Sequence, residues 1–307
     1  MREEQSIFAE RKRAAWLFLT PMLAVLVIVA AWPLLRTFYF SLTNATLVDM
    51  ERHSFVGLAN YLAYENGRWY GVLTDPQWLA SLRNTLIFAI ASVSLETVLG
   101  VLIAVLLNAS FPGRGLMRAA MLVPWAIPTV VSAQMWGWML NDQFGVVNDA
   151  LMKLGLIAAP VAWLADPALS LISVILVDVW KSTPFVALLA LAALQMVPRD
   201  VYEAARVDGI HPIRVFFQIT LPLIAPALAI AVIFRLLDAM RMFDLVYVMT
   251  GTTDATMTLS VFARQQLVDF QDVGYGSAAS TLVFFIIALL TAFYVMAVRL
   301  DLDGRRR

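Results

Sequence analysis

Four charged residues, Arg235, Asp238, Arg241 and Asp244, recur at every third position inside an otherwise apolar run from Val215 to Met249. Opposite charges three apart on a helix can pair. Charges held at the centre of a bilayer must pair or face water, because each otherwise costs about 3 kcal/mol or more. A three-residue step turns a helix through about 300°, so this stripe drifts backwards by about 60° per step. Arg235 and Asp244 therefore fall on opposite faces, and the four cannot all line one cavity. Arg235 reads as an internal ion-pairing residue. Asp238, Arg241 and Asp244 are candidates for packing or for hydrogen bonding a polar ligand. Asp178 and Lys181 repeat the same spacing in another apolar run and read as a pair. Glu96 is the lone charge of a third run, with Lys181 as a candidate partner. Trp180 and Tyr247 have rings that could stack on a ligand, whereas Trp136 and Trp138 read as members of an interfacial belt.

Several chemistries are excluded by residue type. Without cysteine there is no disulfide, thiolate metal site or thiol nucleophile. The two histidines, His53 and His211, lie in polar connections and make a histidine-rich metal site an unfavoured reading. The three lysines, Lys12, Lys153 and Lys181, never follow a glycine, so no phosphate-cradling loop of the Gly-Lys-Ser/Thr type exists. The expectation is a protein with no cofactor and no metal, and not an enzyme.

The elements that must position these residues are membrane helices. Of 307 residues, 61% are apolar and only 14% charged, and mean hydropathy is +0.77; soluble domains carry about a quarter charged residues. A spanning helix needs about 20 mainly apolar residues. Six segments qualify, at about 14–38, 84–110, 117–141, 168–195, 222–249 and 274–298. The fold class is all-α, one membrane domain over residues 1–307. The first run holds Trp16, Phe18 and Trp32 and is too long for a secretory leader, so it reads as an uncleaved helix. The even number of spans puts both termini on one side. That side and its loops hold thirteen of the basic residues: Arg2, Arg11, Lys12, Arg13, Arg114, Arg118, Arg199, Arg206, Arg214, Arg299, Arg305, Arg306 and Arg307. The other side holds six, so the termini are expected in the cytoplasm. Net charge is zero and gives no case for nucleic acid. Within the spans, Pro33, Pro124, Pro128, Pro184 and Pro226 are candidate kinks, and Gly100 with Ala104 offers a close helix contact.

The most informative connection is residues 198–212, between the fourth and fifth spans. Asp200 reads as an N-cap with Glu203 three residues on, as in a capping box. Gly209 fits the C-terminal cap, and Pro212 the first turn of a following helix. Glu203-Ala204-Ala205, Gly209, Ile219 and Leu221-Pro222 together resemble the EAA signature of ABC importer permeases. Phe55-Val56-Gly57-Leu58-Ala59-Asn60-Tyr61, Arg83-Asn84-Thr85-Leu86, Phe243 to Gly251 and Gly274 to Ala278 are similar to stretches of the sugar-permease branch of that family, typified by the larger maltose permease. Thr252-Thr253-Asp254 departs from that branch, which often continues with Gly and Pro, and the extra N-terminal helices of the maltose permease are absent from this chain.

The resemblance implies the type I ABC importer permease fold, with a cytoplasmic coupling helix contributed by Glu203, Ala204, Ala205, Asp208 and Gly209. It also implies the partners: a second related permease, two ABC ATPase subunits that dock below, and an extracytoplasmic binding protein that delivers a sugar, polyol or related glycoside. Trehalose, maltose, a polyol and glycerol phosphate all remain open as solutes. Two other readings follow from the intramembrane charges alone: a carrier or channel driven by an ion gradient, which usually shows hydropathy repeats not seen here, and an intramembrane enzyme, for which a convergent catalytic set is missing.

Overall fold

A computed structural model describes residues 2–298, with side chains from residue 12 onward. Arg299, Arg305, Arg306 and Arg307 of the basic tally lie outside the described residues, as do the side chains of Arg2 and Arg11. Along the chain, α1 (Arg2–Leu26) runs through one π-helical turn into α2 (Trp32–Phe40), followed by a hairpin of β1 (Ala63–Glu65) and β2 (Arg68–Tyr70). Then come α3 (Pro76–Asn108), α4 (Arg114–Ala126), α5 (Thr129–Met139), α6 (Val146–Lys153) and α7 (Ser170–Met196). The chain ends with α8 (Arg199–Val207), α9 (Pro212–Val215), α10 (Leu221–Met240), α11 (Asp244–Thr250), α12 (Leu259–Arg264) and α13 (Val273–Val298). Among the described residues five helical segments are long and apolar enough to cross a membrane, or six if the bent pair α4–α5 is counted as one span.

Two compact units share the chain: residues up to 74 with 263–282, and residues 75–262 with 283 onward. In the first, the Phe55–Tyr61 stretch acts as a clamp. Asn60 Nδ2 donates to the carbonyls of Ser41 (2.9 Å) and Thr43 (2.7 Å), and the Tyr61 hydroxyl donates to Ser41 Oγ at 2.7 Å. The β1–β2 hairpin turns on Asn66 and Gly67, both at positive φ, as a two-residue hairpin turn demands.

The second unit is built on α3 against α7, with α10 packed on both. Lipid supplies no hydrophobic drive between helices, so close packing must hold them. Val101, Ala104 and Leu107 of α3 meet Ala190, Leu191 and Leu194 of α7 and Ile224 of α10 in one buried cluster. Gly100 makes the approach possible: a Cβ there would stand 2.9 Å from Val186 Cβ and 3.0 Å from the Ala187 nitrogen. Gly100→Leu is accordingly expected to destabilise the detergent-solubilised protein by about 1–3 kcal/mol. Combining it with Val186→Ala should recover part of the loss; no effect in thermal unfolding would mean that α3 and α7 do not pack through this point. On the same unit Asn84 Nδ2 donates to the carbonyls of Asp254 (2.9 Å) and Met257 (3.2 Å), while Thr85 Oγ1 accepts from the Leu259 amide at 2.9 Å. The Arg83–Leu86 stretch thus ties the start of α3 to the turn before α12.

Two expected spans are interrupted. The third is broken between α4 and α5, which meet at 91°. Pro128 pushes the preceding residue out of the helical region, and Ile127 is extended at φ −73°, ψ 133°. The fifth expected span, through Met249, ends at Met240. Arg241 (φ −107°) and Phe243 (φ −127°) leave the helix, and Asp244 opens α11. No proline or glycine marks that break; Thr258 Oγ1 donates to the freed Met242 carbonyl at 2.9 Å.

Candidate functional site

Arg235 on α10 organises the intramembrane charges. Its Nε and Nη2 hold Glu96 of α3 side-on at 2.6 and 2.8 Å. Nη2 also donates to Asp178 of α7 at 3.1 Å, and Nη1 to Asp238, one turn along, at 2.8 Å. The planar fork of arginine suits such convergence, where a lysine ammonium would act as a point charge. Three helices thereby meet on one guanidinium. Glu96, Asp178 and Arg235 are buried, whereas the side chain of Asp238 is 52% exposed. Arg241 reaches Asp238 from the other side at 3.5 Å, with its own side chain 70% exposed.

The expected pairing of Asp178 with Lys181, and the alternative of Glu96 with Lys181, are both corrected. Glu96 is taken by Arg235, and Asp178 bonds Arg235 and Ser182. Lys181 Nζ instead donates at 2.7 Å to the carbonyl of Ile127, freed by the Pro128 break. An i,i+3 spacing permits a pair but does not exclude a better partner on a neighbouring helix. The stripe argument also changes. Arg241 caps α10 and Asp244 starts another helix, so the regular 60° drift holds only from Arg235 to Asp238.

A cavity of about 310 Å³ opens against this cluster. Lys181, Asp238 and Arg241 supply charge to it, Ser182 and Thr129 hydroxyls, and Trp125, Phe185 and Phe234 aromatic faces. Trp125 and Phe185 stack at 6.4 Å between centroids. The other expected pathway residues are not among its walls. Asp244 is exposed at the first turn of α11, Tyr247 stacks on Phe243 at 5.1 Å, and Trp180 packs edge-on to Trp136 at 5.4 Å. Trp138, 74% exposed, lies against Phe144. Trp125, Thr129, Phe185 and Phe234 were not singled out from sequence. The usable signal is Pro128, whose break places Trp125 at the end of α4 and Thr129 at the start of α5 beside the cavity.

The polar connection carries the second group. Helix α8 starts at Arg199 with Pro198 as its N-cap, so Asp200 is a first-turn residue and not the cap, and no capping box forms with Glu203. Pro198 forces the preceding Val197 into extended backbone (φ −72°, ψ 124°), and with Pro198 as N-cap the helix starts two residues earlier than it would with Asp200 as the cap. Glu203 and Ala204 are exposed, and Ala205 is buried. At the other end the Gly209 amide bonds the Arg206 carbonyl at 3.1 Å and the Ile210 amide the Ala205 carbonyl at 3.0 Å, a Schellman cap with Gly209 at φ +66°. Asp208 is the exposed residue just before it. His211, directly before the first turn at Pro212, caps α9 through Nδ1, which accepts from the Ile213 amide at 3.3 Å.

Residues 96–303 match the family described as binding-protein-dependent transport system inner membrane component. The chain belongs to this family. It is a multi-pass inner-membrane permease of an ABC importer, not itself an enzyme, and it works in a complex with a periplasmic binding protein and ATPases. The gradient-driven and enzymatic readings are set aside by that membership. This permease is 39% identical over 295 residues to the trehalose/maltose transport system permease protein MalF of Thermococcus litoralis, covering 95% of each chain. It is 35% identical over 287 residues to the sulfoquinovosyl glycerol transport system permease protein SmoG of Agrobacterium fabrum, covering 93% of this chain and 90% of SmoG. The trehalose transport system permease protein SugA of Mycobacterium tuberculosis is also 35% identical, over 94% of this chain and 90% of its own length. The fold is that of a chain of the bacterial alginate ABC transporter, solved in complex with an alginate pentasaccharide-bound periplasmic protein: TM-score 0.79, 21% identity, 97% of this chain and 98% of that one.

Proposed function

We propose that this permease forms half of a pathway that imports a sugar, polyol or related glycoside, alongside a second homologous permease and above two ATPase subunits. The observation that carries the solute class is the cavity at Lys181, Asp238 and Arg241. It combines aromatic faces with hydroxyls and charged hydrogen-bonding groups, the chemistry a polyhydroxy ring requires. Three cations (Lys181, Arg235, Arg241) and two carboxylates (Asp178, Asp238) line it, and Arg235 is further neutralised by Glu96 behind the wall, so cavity and cluster together carry no formal net charge, which favours an uncharged solute over a strongly anionic one. Relatives that carry trehalose, maltose and sulfoquinovosyl glycerol support the same class.

In this reading residues 1–307 form one permease domain with both termini in the cytoplasm, as the basic bias favours. Residues 198–212 are the coupling loop: Glu203, Ala204, Ala205, Asp208 and Gly209 meet the ATPases. ATP binding closes the ATPases, α8 moves with them, and the spans open outward to receive solute from the binding protein. Hydrolysis resets the inward-open state. Asp238, Arg241, Asp244, Tyr247 and Trp180 belong to the pathway, while Glu96, Asp178, Lys181 and Arg235 hold its helices.

The test is reconstitution of the whole importer with its binding protein. A sugar or polyol should stimulate ATP hydrolysis and enter the vesicles. Asp238→Asn and Arg241→Gln should weaken that stimulation roughly tenfold, a loss of about 1.4 kcal/mol, without lowering basal hydrolysis. Solute uptake that is unchanged in both variants would remove the cavity from the pathway.

A further inference from the structure

A second cavity, of about 290 Å³, lies where α3 and α7 end, against α8 and the start of α9. Its composition changes along its length. Val105 and Leu194 sit within the last turn or so of α3 and α7, and Phe216 adds a ring. Asn108, Tyr202 and Arg206 provide polar groups at the helix ends and on α8. The cavity sits at the ends of two long apolar helices, α3 and α7, with Tyr202 and Arg206 of the connection on its other side, which places it at the level of a bilayer boundary. Arg206 makes no ion pair among the described residues. From the apolar end, exposed Val98 and Leu102 continue the line of Val105 along one face of α3, at i, i+4 and i+7. That track runs about 10 Å down the helix.

A guanidinium at headgroup level, an apolar cleft beneath it and an apolar track leading away match one kind of ligand. We propose that this cavity binds an anionic phospholipid, with its phosphate on Arg206 and an acyl chain along Val105, Leu102 and Val98. Basic pockets between spans at the cytoplasmic surface take such headgroups, each Arg near the surface being worth about 1 kcal/mol. Tyr202 and Arg206 sit on α8, flanking Glu203, Ala204 and Ala205. The lipid would therefore brace the connection from the membrane side, and its occupancy would tune how firmly α8 is held. The tuning half rests on the coupling role proposed above; the binding half does not.

The assembled importer is placed in nanodiscs of phosphatidylglycerol or phosphatidylcholine, and lipid retained on the released complex is measured by native mass spectrometry. The wild type should keep phosphatidylglycerol about fivefold better than phosphatidylcholine, and Arg206→Gln and Val105→Trp should each abolish the preference. Val105→Phe serves if the tryptophan variant does not assemble. Equal retention of the two lipids, an unchanged preference in either variant, or displacement of the lipid by inorganic phosphate would overturn the lipid site. Substrate-stimulated ATP hydrolysis, read in parallel, separates the two proposals. If it is higher in phosphatidylglycerol only for the wild type, the lipid acts through α8. Retention that follows the variants while hydrolysis ignores them keeps the site and sinks its regulatory role. No stimulation in either lipid, with retention intact, counts against the importer reading alone.

Discussion

Arg235→Met is expected to be the most damaging single substitution in the spans. It would leave Glu96 and Asp178, both buried, without the cation that three helices converge on. Removing one partner of a buried ion network costs about 3–5 kcal/mol, because the remaining charges stay desolvated. The expected results are poor recovery of the importer from membranes and a sharply lowered unfolding temperature in detergent. Two controls give the experiment its meaning. Arg241→Met removes a half-exposed pairing at 3.5 Å and should cost no more than about 1 kcal/mol. Adding Glu96→Gln and Asp178→Asn to Arg235→Met removes the stranded charges, and much of the stability should return, since replacing a whole buried network is often near neutral. Arg235→Lys should fall between, for an ammonium cannot hold Glu96 side-on while reaching Asp178 and Asp238. If Arg235→Met unfolded like the wild type, the cluster would not be what fixes α3, α7 and α10.

What could be read without coordinates follows from how local each cause is. Gly209 is legible because a helix end, a positive φ and a residue type coincide within four positions. The turn at Pro212 is legible for the same reason, and apolar run length located the long helices. The partner of Glu96 was not legible. Arg235 lies 139 positions away, and Lys181 was an equally charged candidate. Only the three-dimensional crossing of α3, α7 and α10 decides between them, and the arginine fork then outcompetes. The partner of Lys181 is hidden from sequence because its acceptor is a backbone carbonyl, a group that every residue carries and no sequence advertises. Pro128 does announce a bend, but the apolar run at about 117–141 averages over it and reads as one span. The break after Met240 has no local signal at all; it is tied by Thr258, sixteen residues on. The cavity walls are a consequence of these breaks, which is why Asp238 and Arg241 were within reach from sequence and Trp125, Phe185 and Thr129 were not.

Gly209→Val should cut solute uptake by roughly tenfold or more while leaving the spans folded. Gly209 stands at φ +66° between α8 and α9, where a side chain costs about 1–2 kcal/mol and a β-branched one more. Space is not the obstacle, since nothing lies within 4 Å of where its Cβ would be. A substitution series at this position therefore reports backbone conformation almost alone. Asparagine tolerates the left-handed region, so the expected order of uptake is Gly, Asn, Ala, Val. The strain would be relieved by opening the Schellman bonds at Arg206 and Ala205, and the last turn of α8 would fray. If α8 is the element that meets the ATPases, the variants should lose ATPase subunits on purification in the same order as they lose uptake. Unfolding temperatures of the permease itself should move far less than in Arg235→Met, because α8 lies outside the packed cluster of α3, α7 and α10. Uptake that fell with ATPase subunits still bound in full would point to failed transmission, not failed docking. Uptake equal to wild type in Gly209→Val would mean that residues 198–212 do not couple ATP to transport.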